Sequence, residues 1–433
     1  MKIIDIIEKK KNSEELSEEE IKYFIDGYTK NDITDYQAAA LVMAICINGM
    51  TEKEIVYLTK AMAYSGDVLD FKDIADNTVD KHSTGGIGDK ITLILSPIIA
   101  SLGVSIAKMS GRGLGITGGT IDKLQSIPGY RTDITIEEFK NNVKEHGISL
   151  IGQSLNLVPA DKKLYALRDS IGCTNSIPLI ASSIMSKKIA AGAEHIILDV
   201  TCGSGAFMRN KKDAIIISKI MKKIGDNSGK DVMCILTNMN EPVGYSIGNS
   251  LEVVEAIKAL KGEMADDVKE IILTFGAFIL KMAGKGEDLI KNKDKIMEVI
   301  QNGKAYEKFK ELVVAQNGDV SYIENPEKFE KAPIIIPVLS EETGYVSSLN
   351  AELIGKASVL LGAGREKKED DIDKKVGIVL CKKVGDQLSK GDIIAYVHAS
   401  NETKANETIQ MIKSAYKYSK KPVRKTRVIL EIL

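Results

Sequence analysis

Two glycine-rich segments carry the residue types that bind a phosphate group. Residues 80–90 read Asp-Lys-His-Ser-Thr-Gly-Gly-Ile-Gly-Asp-Lys, so three glycines within four positions follow Lys81 and Ser83. Residues 110–120 contain five glycines among eleven residues, with the hydroxyl groups of Ser110 and Thr120 at the two ends. Such loops direct backbone N–H groups at an anion, and a following helix adds its dipole. For one loop alone, glycines in a tight turn are an alternative; two loops together favour a phosphate site.

The first segment is not a Walker A loop, because the pattern GxxxxGK[ST] is absent. Lys81 supplies positive charge, and Thr92 adds a further hydroxyl group just beyond the loop. His82 lies inside the loop and is therefore a better acid/base candidate than His146 or His398.

A third cluster of polar residues lies further along the chain. Arg168 belongs to one predicted helix, and Ser183 and Lys187 are four residues apart on the next, hence on one face. The spacing alone favours a solvated basic face over a binding site.

The composition excludes several classes of protein. The chain has 433 residues, with 59 basic and 60 acidic side chains, which predicts two to three domains and gives no global charge for binding nucleic acid. We find no apolar run long enough to span a membrane and no signal peptide at the N-terminus. The five cysteines never form a CxxC pair, so we expect reduced thiols, no zinc site and a cytoplasmic protein.

The elements that must position these residues fall into three regions. Residues 1–66 are predicted to form three short helices, with capping boxes at Ser17/Glu20 and Thr51/Glu54 and with helix ends at Gly49 and Gly66. From about residue 74, apolar strand-like runs alternate with helices, which is typical of an α/β sheet whose ligands bind at the carboxyl ends of the strands. The predicted strands are 78–80, 104–109, 148–151, 196–200 and 232–236, and the predicted helices between them include 91–102 and 136–146.

Two further helices, 161–171 and 178–191, interrupt this pattern within residues 155–192. We therefore predict a discontinuous helical domain from residues 1–66 and 161–192 and a larger mixed α/β-sheet domain from 70–157 and 195–332. Residues 333–433, with the charged stretch 365–375, form a β-rich α+β module packed on the α/β domain. Residues 384–395 resemble the hairpins of biotinyl and lipoyl carriers, but no Met-Lys-Met turn is present, which favours a structural module.

Taken together, these segments resemble the thymidine and pyrimidine-nucleoside phosphorylases, the type II nucleoside phosphorylases. Residues 110–124 look like the family signature and residues 79–89 like its phosphate loop, while residues 157–169, 176–180 and 186–188 match its base-binding helices. The likeness runs the length of the chain. It implies a helical dimerisation domain joined by hinges to an α/β domain, and an open form that closes over its substrates.

The resemblance also implies roles for individual residues. It places phosphate contacts at Lys81, Ser83, Gly85, Gly86, Thr92, Lys108, Ser110 and Thr120. It places base or nucleoside contacts at Tyr165, Arg168, Ser183 and Lys187, with His82, Arg168 and Lys187 as the catalytic residues. It implies a structural potassium ion held by Gly88, Lys90, Val243, Ser246 and Glu255.

The implied reaction is the reversible phosphorolysis of thymidine, uridine and deoxyuridine to a free base and a pentose 1-phosphate. Inorganic phosphate is then a co-substrate, no organic cofactor is needed, and the expected partners are the nucleoside and a second copy of the chain. Two alternatives are a phosphoribosyltransferase of the anthranilate type and a non-catalytic nucleoside-binding protein. Against the former, no Asp directly follows the glycines of the first loop.

The chain departs from the family pattern at four positions. Ile116 replaces a usual His, Gln125 a Glu, Thr201 a Lys and Asn175 a usual Asp. We expect Ile116 to make the pocket near the sugar or base more apolar. Since Glu and Lys are lost together, one hypothesis is that relatives pair these two charges, so that Gln125→Glu alone leaves a charge unpaired.

Overall fold

A computed structural model describes residues 1–113, 115–116, 118–152, 156–365, 367 and 370–433 of the chain. Several predicted features fall partly outside these residues, namely Leu114 and Thr117 of the glycine-rich signature, Leu155 at the start of the helical insertion, and Glu366, Lys368 and Glu369 of the charged stretch. Among the described helices, none combines the length and apolar character needed to cross a membrane.

The described residues form helices and strands throughout the chain. The helices are α1 (Ile3–Lys11), α2 (Glu18–Thr29), α3 (Asp35–Asn48), α4 (Glu52–Ala63), α5 (Ile91–Ser101), α6 (Thr120–Leu124), α7 (Ile136–His146), α8 (Pro159–Ser170), α9 (Ile177–Ala190), α10 (Lys211–Asn227), α11 (Asn249–Leu260), α12 (Asp266–Met282), α13 (Leu289–Gln301), α14 (Lys304–Ala315), α15 (Ser321–Glu324), α16 (Ala351–Leu361) and α17 (Glu402–Ala415), with a 3-10 turn at Pro326–Lys328. The strands are β1 (Val79–Ser83), β2 (Ile106–Ser110), β3 (Ile148–Gly152), β4 (His195–Cys202), β5 (Asp231–Asn238), β6 (Ser246–Ile247), β7 (Ile334–Leu339), β8 (Gly344–Leu349), β9 (Gly377–Leu380), β10 (Gln387–Leu388), β11 (Ile393–Ala399), β12 (Tyr416–Ser419) and β13 (Ile429–Ile432).

The N-terminal region is helical, as predicted, but α1 was missed and the helices number four rather than three. The capping boxes at Ser17/Glu20 and Thr51/Glu54 are both present, because each hydroxyl accepts from the N3 backbone and each Glu accepts from the N-cap. The last helix ends at Ala63, so Gly66 does not terminate it. Gly66 instead lies where a Cβ atom would come within 2.1 Å of the carbonyl oxygen of Asn156.

A six-stranded sheet with the order β13-β5-β4-β1-β2-β3 forms the centre of the molecule and confirms the predicted α/β class. The five strands β1 to β5 are parallel, while β13 at the C-terminus adds antiparallel to β5. One face of the sheet packs on α5 and α11 to α14, and the other packs on α7, α9 and α10. Such a sheet is buried on both faces, which explains the continuous apolar runs of its strands.

The C-terminal region builds two small sheets, β10-β8-β12 and β6-β9-β11-β7. It is joined to the rest of the molecule in two ways that the sequence did not predict. Strand β13 belongs to the large sheet, and β6, which precedes α11, pairs with β9. The C-terminal module therefore shares strands with the α/β region as well as packing on it.

Candidate active site

The two glycine-rich loops leave the large sheet side by side. Val79 of β1 pairs with Ile106 of β2, and the strands are parallel, so Ser83 and Ser110 lie at equivalent positions four residues further on. Gly152 of β3 pairs with Ser110, and Asp199 of β4 pairs with Ser83. The carboxyl ends of these strands therefore meet at one edge of the sheet, where α/β proteins bind their ligands.

A cleft of about 330 Å³ opens at this edge, between the glycine-rich loops and the helices α8 and α9. Twelve of the residues predicted from the sequence line it. They are His82, Ser83, Gly85, Gly86, Thr92, Lys108, Ser110, Thr120, Tyr165, Arg168, Ser183 and Lys187.

Lys81 is the predicted phosphate ligand that does not line the cleft. Because side chains alternate along β1, it points to the face opposite His82, where its Nζ atom lies 3.1 Å from Asp199 Oδ2 and 3.7 Å from Asp89 Oδ1. Burial alone would raise the pKa of Asp89, but the ammonium groups of Lys81 and Lys123 lower it to about 2. The structure thus places Lys81 behind the loop, where one ammonium group is shared between two carboxylates, instead of in contact with the cleft.

His82 faces the cleft and is surrounded by positive charge. Burial, together with the nearby ammonium groups of Lys188, Lys108 and Lys187, holds the pKa of His82 well below its usual value. Its imidazole ring is therefore neutral at physiological pH when the cleft is empty. A neutral ring still has one N–H group to donate, but it does not carry the extra proton of a general acid.

Lys108 stands beside His82 on β2 and has an unusual environment. Its ammonium group donates to the carbonyl oxygen of Lys81 and lies 3.6 Å from Asp80, whose other oxygen accepts from Lys188 at 2.7 Å. Burial lowers the pKa of Lys108 to about 7, since the attraction of Asp80 is opposed by Lys188 and Lys81. Lys108 is thus a cation of the cleft that titrates near neutral pH. Its neighbours Lys188 and Asp80 lie within segments quoted in the sequence analysis, but no role was predicted for them.

The other wall of the cleft is formed by α8 and α9. The guanidinium group of Arg168 is buried and donates to the carbonyl oxygens of Cys173, Leu179 and Thr174 at 3.1–3.2 Å, which fixes its plane. Its three nitrogens carry five N–H groups, so two are left for a ligand.

Lys187 is held on the same wall by two oxygen acceptors. Its ammonium group donates to Asp161 Oδ2 at 2.5 Å and to Ser183 Oγ at 2.8 Å. Among the described residues no third acceptor is recorded, which leaves one N–H group for the cleft. The basic cluster is therefore a built site with fixed geometry and not the solvated face that spacing alone favoured.

Several residues that line the cleft or hold its side chains in place were not predicted from the sequence. Asp161 stands inside a quoted motif, but only the fold shows that it holds Lys187. The apolar part of the wall is lined by Leu157, Ile180, Ile184, Phe207, Met208 and Ile217. A signal existed for two of them, since positions 180 and 184 share a helix face with 183 and 187.

The second glycine-rich loop is anchored by the C-terminal module. Arg365 donates to Asp122 Oδ1 at 2.8 Å, and Asp122 Oδ2 accepts from the backbone N–H of Gly113 at 2.7 Å. Ile116 does not line the cleft, contrary to expectation. It packs against α16, where a Cβ atom at Gly355 would lie 3.1 Å from the Ile116 Cβ atom, so its apolar side chain serves the contact between loop and module.

The five residues expected to bind potassium do meet at one place, but they do not fit a metal ion. The Nζ atom of Lys90 itself lies 2.8 Å from Val243 O, 3.0 Å from Ser246 O and 2.9 Å from Glu255 Oε2. The carbonyl oxygen of Gly88 accepts from the backbone N–H of Lys90 at 2.9 Å. An ammonium group thus already occupies three of the oxygen ligands expected for potassium.

Comparisons with known proteins agree with this arrangement. Family models match residues 75–306 (glycosyl transferase family, a/b domain), 4–66 (glycosyl transferase family, helical bundle domain) and 345–419 (pyrimidine nucleoside phosphorylase C-terminal domain). The pyrimidine-nucleoside phosphorylase of Bacillus subtilis (strain 168) is 52% identical over 402 residues, 93% of each chain. That of Geobacillus stearothermophilus is 48% identical over 431 residues, covering 100% of this chain and 99% of the relative.

The chain belongs to the pyrimidine-nucleoside phosphorylase family. Among solved structures, anthranilate phosphoribosyltransferase from Thermus thermophilus matches 72% of this chain and 99% of its own, with a TM-score of 0.60 and 18% identity. At that identity the likeness concerns the fold alone. The pyrimidine-nucleoside phosphorylase relatives cover nearly the whole chain and match its sequence closely, so they decide the family.

The other three departures from the pyrimidine-nucleoside phosphorylase pattern, at Gln125, Thr201 and Asn175, lie in different parts of the structure. Gln125 Nε2 donates to the hydroxyl of Thr132 at 2.9 Å, near β3, whereas Thr201 contacts the hydroxyl of Thr84 and the carbonyl of Gly85. The two positions share no contact among the described residues, and the hypothesis that relatives pair a Glu and a Lys there stays a prediction. Asn175 is exposed in the turn between α8 and α9.

Proposed function

We propose that this protein catalyses the reversible phosphorolysis of pyrimidine nucleosides. Phosphate attacks C1′ of thymidine, uridine or deoxyuridine, the N-glycosidic bond breaks, and the products are a free base and α-D-ribose 1-phosphate or its 2-deoxy form. Inorganic phosphate is the co-substrate, and the residues of the cleft suffice without an organic cofactor.

One observation carries the proposal. A single cleft presents an edge of hydroxyl side chains and glycines on one side and a cationic, partly apolar wall on the other. The edge of hydroxyl side chains suits the phosphate nucleophile, and the cationic wall suits a flat base with polar edges. A nucleoside that spans the cleft would place its sugar between the phosphate and the wall.

The phosphate side stabilises a dianion through preorganised donors. The hydroxyls of Ser83, Thr92, Ser110 and Thr120 line the cleft next to the start of α5, whose N-terminus carries partial positive charge. Thr201 supports this loop from behind by donating to the carbonyl oxygen of Gly85. Donors already fixed before the substrate binds need no rearrangement as charge shifts in the transition state.

The base side stabilises the leaving group. As the glycosidic bond breaks, negative charge develops on the oxygens and N3 of the pyrimidine, within reach of the free N–H groups of Arg168 and Lys187. His82 donates a hydrogen bond to O2 through a ring N–H group. Bound dianionic phosphate would oppose the effect of the surrounding ammonium groups on His82 and so favour its protonated form.

The connections between the helical domain and the α/β domain are consistent with closure of the cleft. The chain crosses between the two domains three times, and hydrogen bonds join these crossings: the backbone N–H of Asp67 donates to Asn156 O at 3.0 Å, and that of Leu69 donates to Ala190 O at 2.8 Å. At Gly192, which has a φ of +90°, a Cβ atom would lie 2.4 Å from Leu69 O. Such a narrow bundle of chain is suited to a hinge, and closing would exclude water that competes with phosphate.

We also propose a homodimer formed through the helical domain. On α3, the side chains of Tyr36, Met43 and Ile47 lie seven and four residues apart, on one face, and are 75%, 37% and 75% exposed. An exposed apolar stripe of this kind favours burial against a second copy. Light scattering should give twice the chain mass, falling to one chain mass for Ile47→Lys. The cytoplasmic location stays a prediction.

The test is release of base from thymidine and from uridine, each with and without inorganic phosphate. Phosphate-dependent release supports the proposal, and its distribution over the two nucleosides gives the substrate range. Binding without release would indicate a nucleoside-binding protein. Release that requires pyrophosphate and magnesium would indicate a phosphoribosyltransferase.

A further inference from the structure

Lys90 is fully buried directly behind the first glycine-rich loop. It is the N-cap of α5 and has no exposed surface. Its ammonium group has three N–H donors, and three oxygens accept them at 2.8–3.0 Å, namely Val243 O, Ser246 O and Glu255 Oε2. Every donor is satisfied, which is the condition under which a buried charge is tolerated.

The carboxylate that balances this charge is itself held in place. Glu255 Oε1 accepts from the backbone N–H of Tyr245 at 2.9 Å, and Oε2 accepts from that of Ser246 at 2.6 Å. Burial would raise the pKa of Glu255, but Lys90 and these N–H groups hold it below its usual value. Gly244, with a φ of +67°, leaves the space required, since a Cβ atom there would lie 2.7 Å from Lys90 Nζ.

The cluster joins parts of the chain that are distant in sequence. Lys90 ends the loop that lines the cleft, Val243 lies in the connection between β5 and β6, Ser246 begins β6, and Glu255 lies on α11. Backbone bonds reinforce the junction, from Val243 N to Ile87 O at 3.0 Å and from Leu380 N to Tyr245 O at 2.8 Å. The position of the loop is thereby tied to the C-terminal module.

We propose that Lys90 is a built-in cation that takes the place of a monovalent metal ion, so that the phosphate loop of this chain is held without potassium. An ammonium group carries the same charge as potassium and approaches oxygen to a similar distance. A metal ion entering the cluster would meet the Lys90 charge and find its oxygen ligands occupied. The stabilisation that a free ion gives depends on its concentration, as RT ln(1 + [L]/Kd), whereas a tethered ammonium group is present at every salt concentration.

The experiment compares thermal unfolding and turnover in potassium chloride and in choline chloride at equal ionic strength. For the wild-type chain, neither the melting temperature nor the turnover should differ between the two salts. Lys90→Ala removes the charge and opens a space, and should lower the melting temperature by about 5 °C in choline chloride. Potassium or ammonium chloride should then restore part of that loss in a saturable manner.

Lys90→Met is the matched control, because its side chain lacks the charge but fills the space. It should be destabilised like the alanine variant and should not recover with either ion. A saturable rise of the wild-type melting temperature with potassium would overturn the proposal, as would a Lys90→Ala protein that no cation stabilises. If that variant does not fold, the wild-type titration decides alone.

The proposal does not depend on which nucleoside is cleaved. Thermal unfolding reports on the cluster even if no turnover is found, whereas the proposed function is tested by base release. A protein that melts identically in both salts and releases no base would therefore contradict only the proposed function.

Discussion

Lys187 offers the most direct test of the base-binding wall. Its ammonium group is 2.5 Å from Asp161 and 2.8 Å from Ser183, and one N–H group is directed at no described acceptor. We expect Lys187→Met to lower kcat by about 10²–10³-fold, the usual effect of removing one preorganised donor from developing charge. The KM for phosphate should change little, because the phosphate loops lie on the opposite side of the cleft.

The same substitution has a consequence for stability that can be separated from catalysis. The Asp161 side chain is only 7% exposed, so removal of Lys187 leaves a carboxylate with little access to water. A fully buried pair that loses one partner is destabilised by about 3–5 kcal/mol; since Lys187 is 21% exposed, we expect about 1–3 kcal/mol. Urea unfolding measures this difference.

The double variant Lys187→Met/Asp161→Asn separates the two effects. It removes both charges, so stability should largely recover while turnover stays low. Asp161→Asn alone keeps the cation but loosens its position, and should lower kcat by about tenfold. Near-native turnover of Lys187→Met, or turnover that recovers together with stability in the double variant, would refute the role of Lys187.

Three further predictions concern the phosphate edge and its surroundings. Because the pKa of Lys108 is lowered to about 7, its positive charge is lost as the pH rises through that value. Sulfate stays a dianion over this range, so its inhibition of the enzyme should weaken by about tenfold from about pH 6 to about pH 8. A Lys108→Met protein that keeps the same pH dependence of inhibition would contradict this prediction. Ser110→Ala should raise the KM for phosphate by about tenfold with kcat unchanged, since one hydrogen bond is lost. An unchanged KM in steady-state kinetics would show that Ser110 does not bind phosphate. Gln125→Glu should alter the free energy of unfolding by less than about 1 kcal/mol, because the Thr132 hydroxyl can donate to a carboxylate as readily as it accepts from the amide. A larger loss of stability, measured by urea unfolding, would instead support the hypothesis that a Glu at this position is an unpaired charge.

The residues that could bind phosphate and the bounds of the main elements were predictable from the sequence. Local signals account for this success. A capping box such as Ser17/Glu20 or Thr51/Glu54 requires only neighbouring residues, and both boxes are present as predicted. Glycines grouped after an apolar strand likewise predict an anion-binding loop wherever the sheet lies. The family resemblance added roles for twelve residues that the fold then brought to one cleft.

The pairing of charges across the molecule, in contrast, depends on how remote segments meet in the fold. Whether Lys81 meets a ligand or a carboxylate depends on which face of β1 it occupies and on Asp199, more than a hundred residues away. The Lys90 cluster likewise depends on carbonyl oxygens, which every residue has and which therefore leave no trace in the side-chain sequence. Pairings of this kind depend on which remote segments come close together in the fold. Only the folded chain therefore shows that Lys90, which was expected to help bind a cation, is itself the cation.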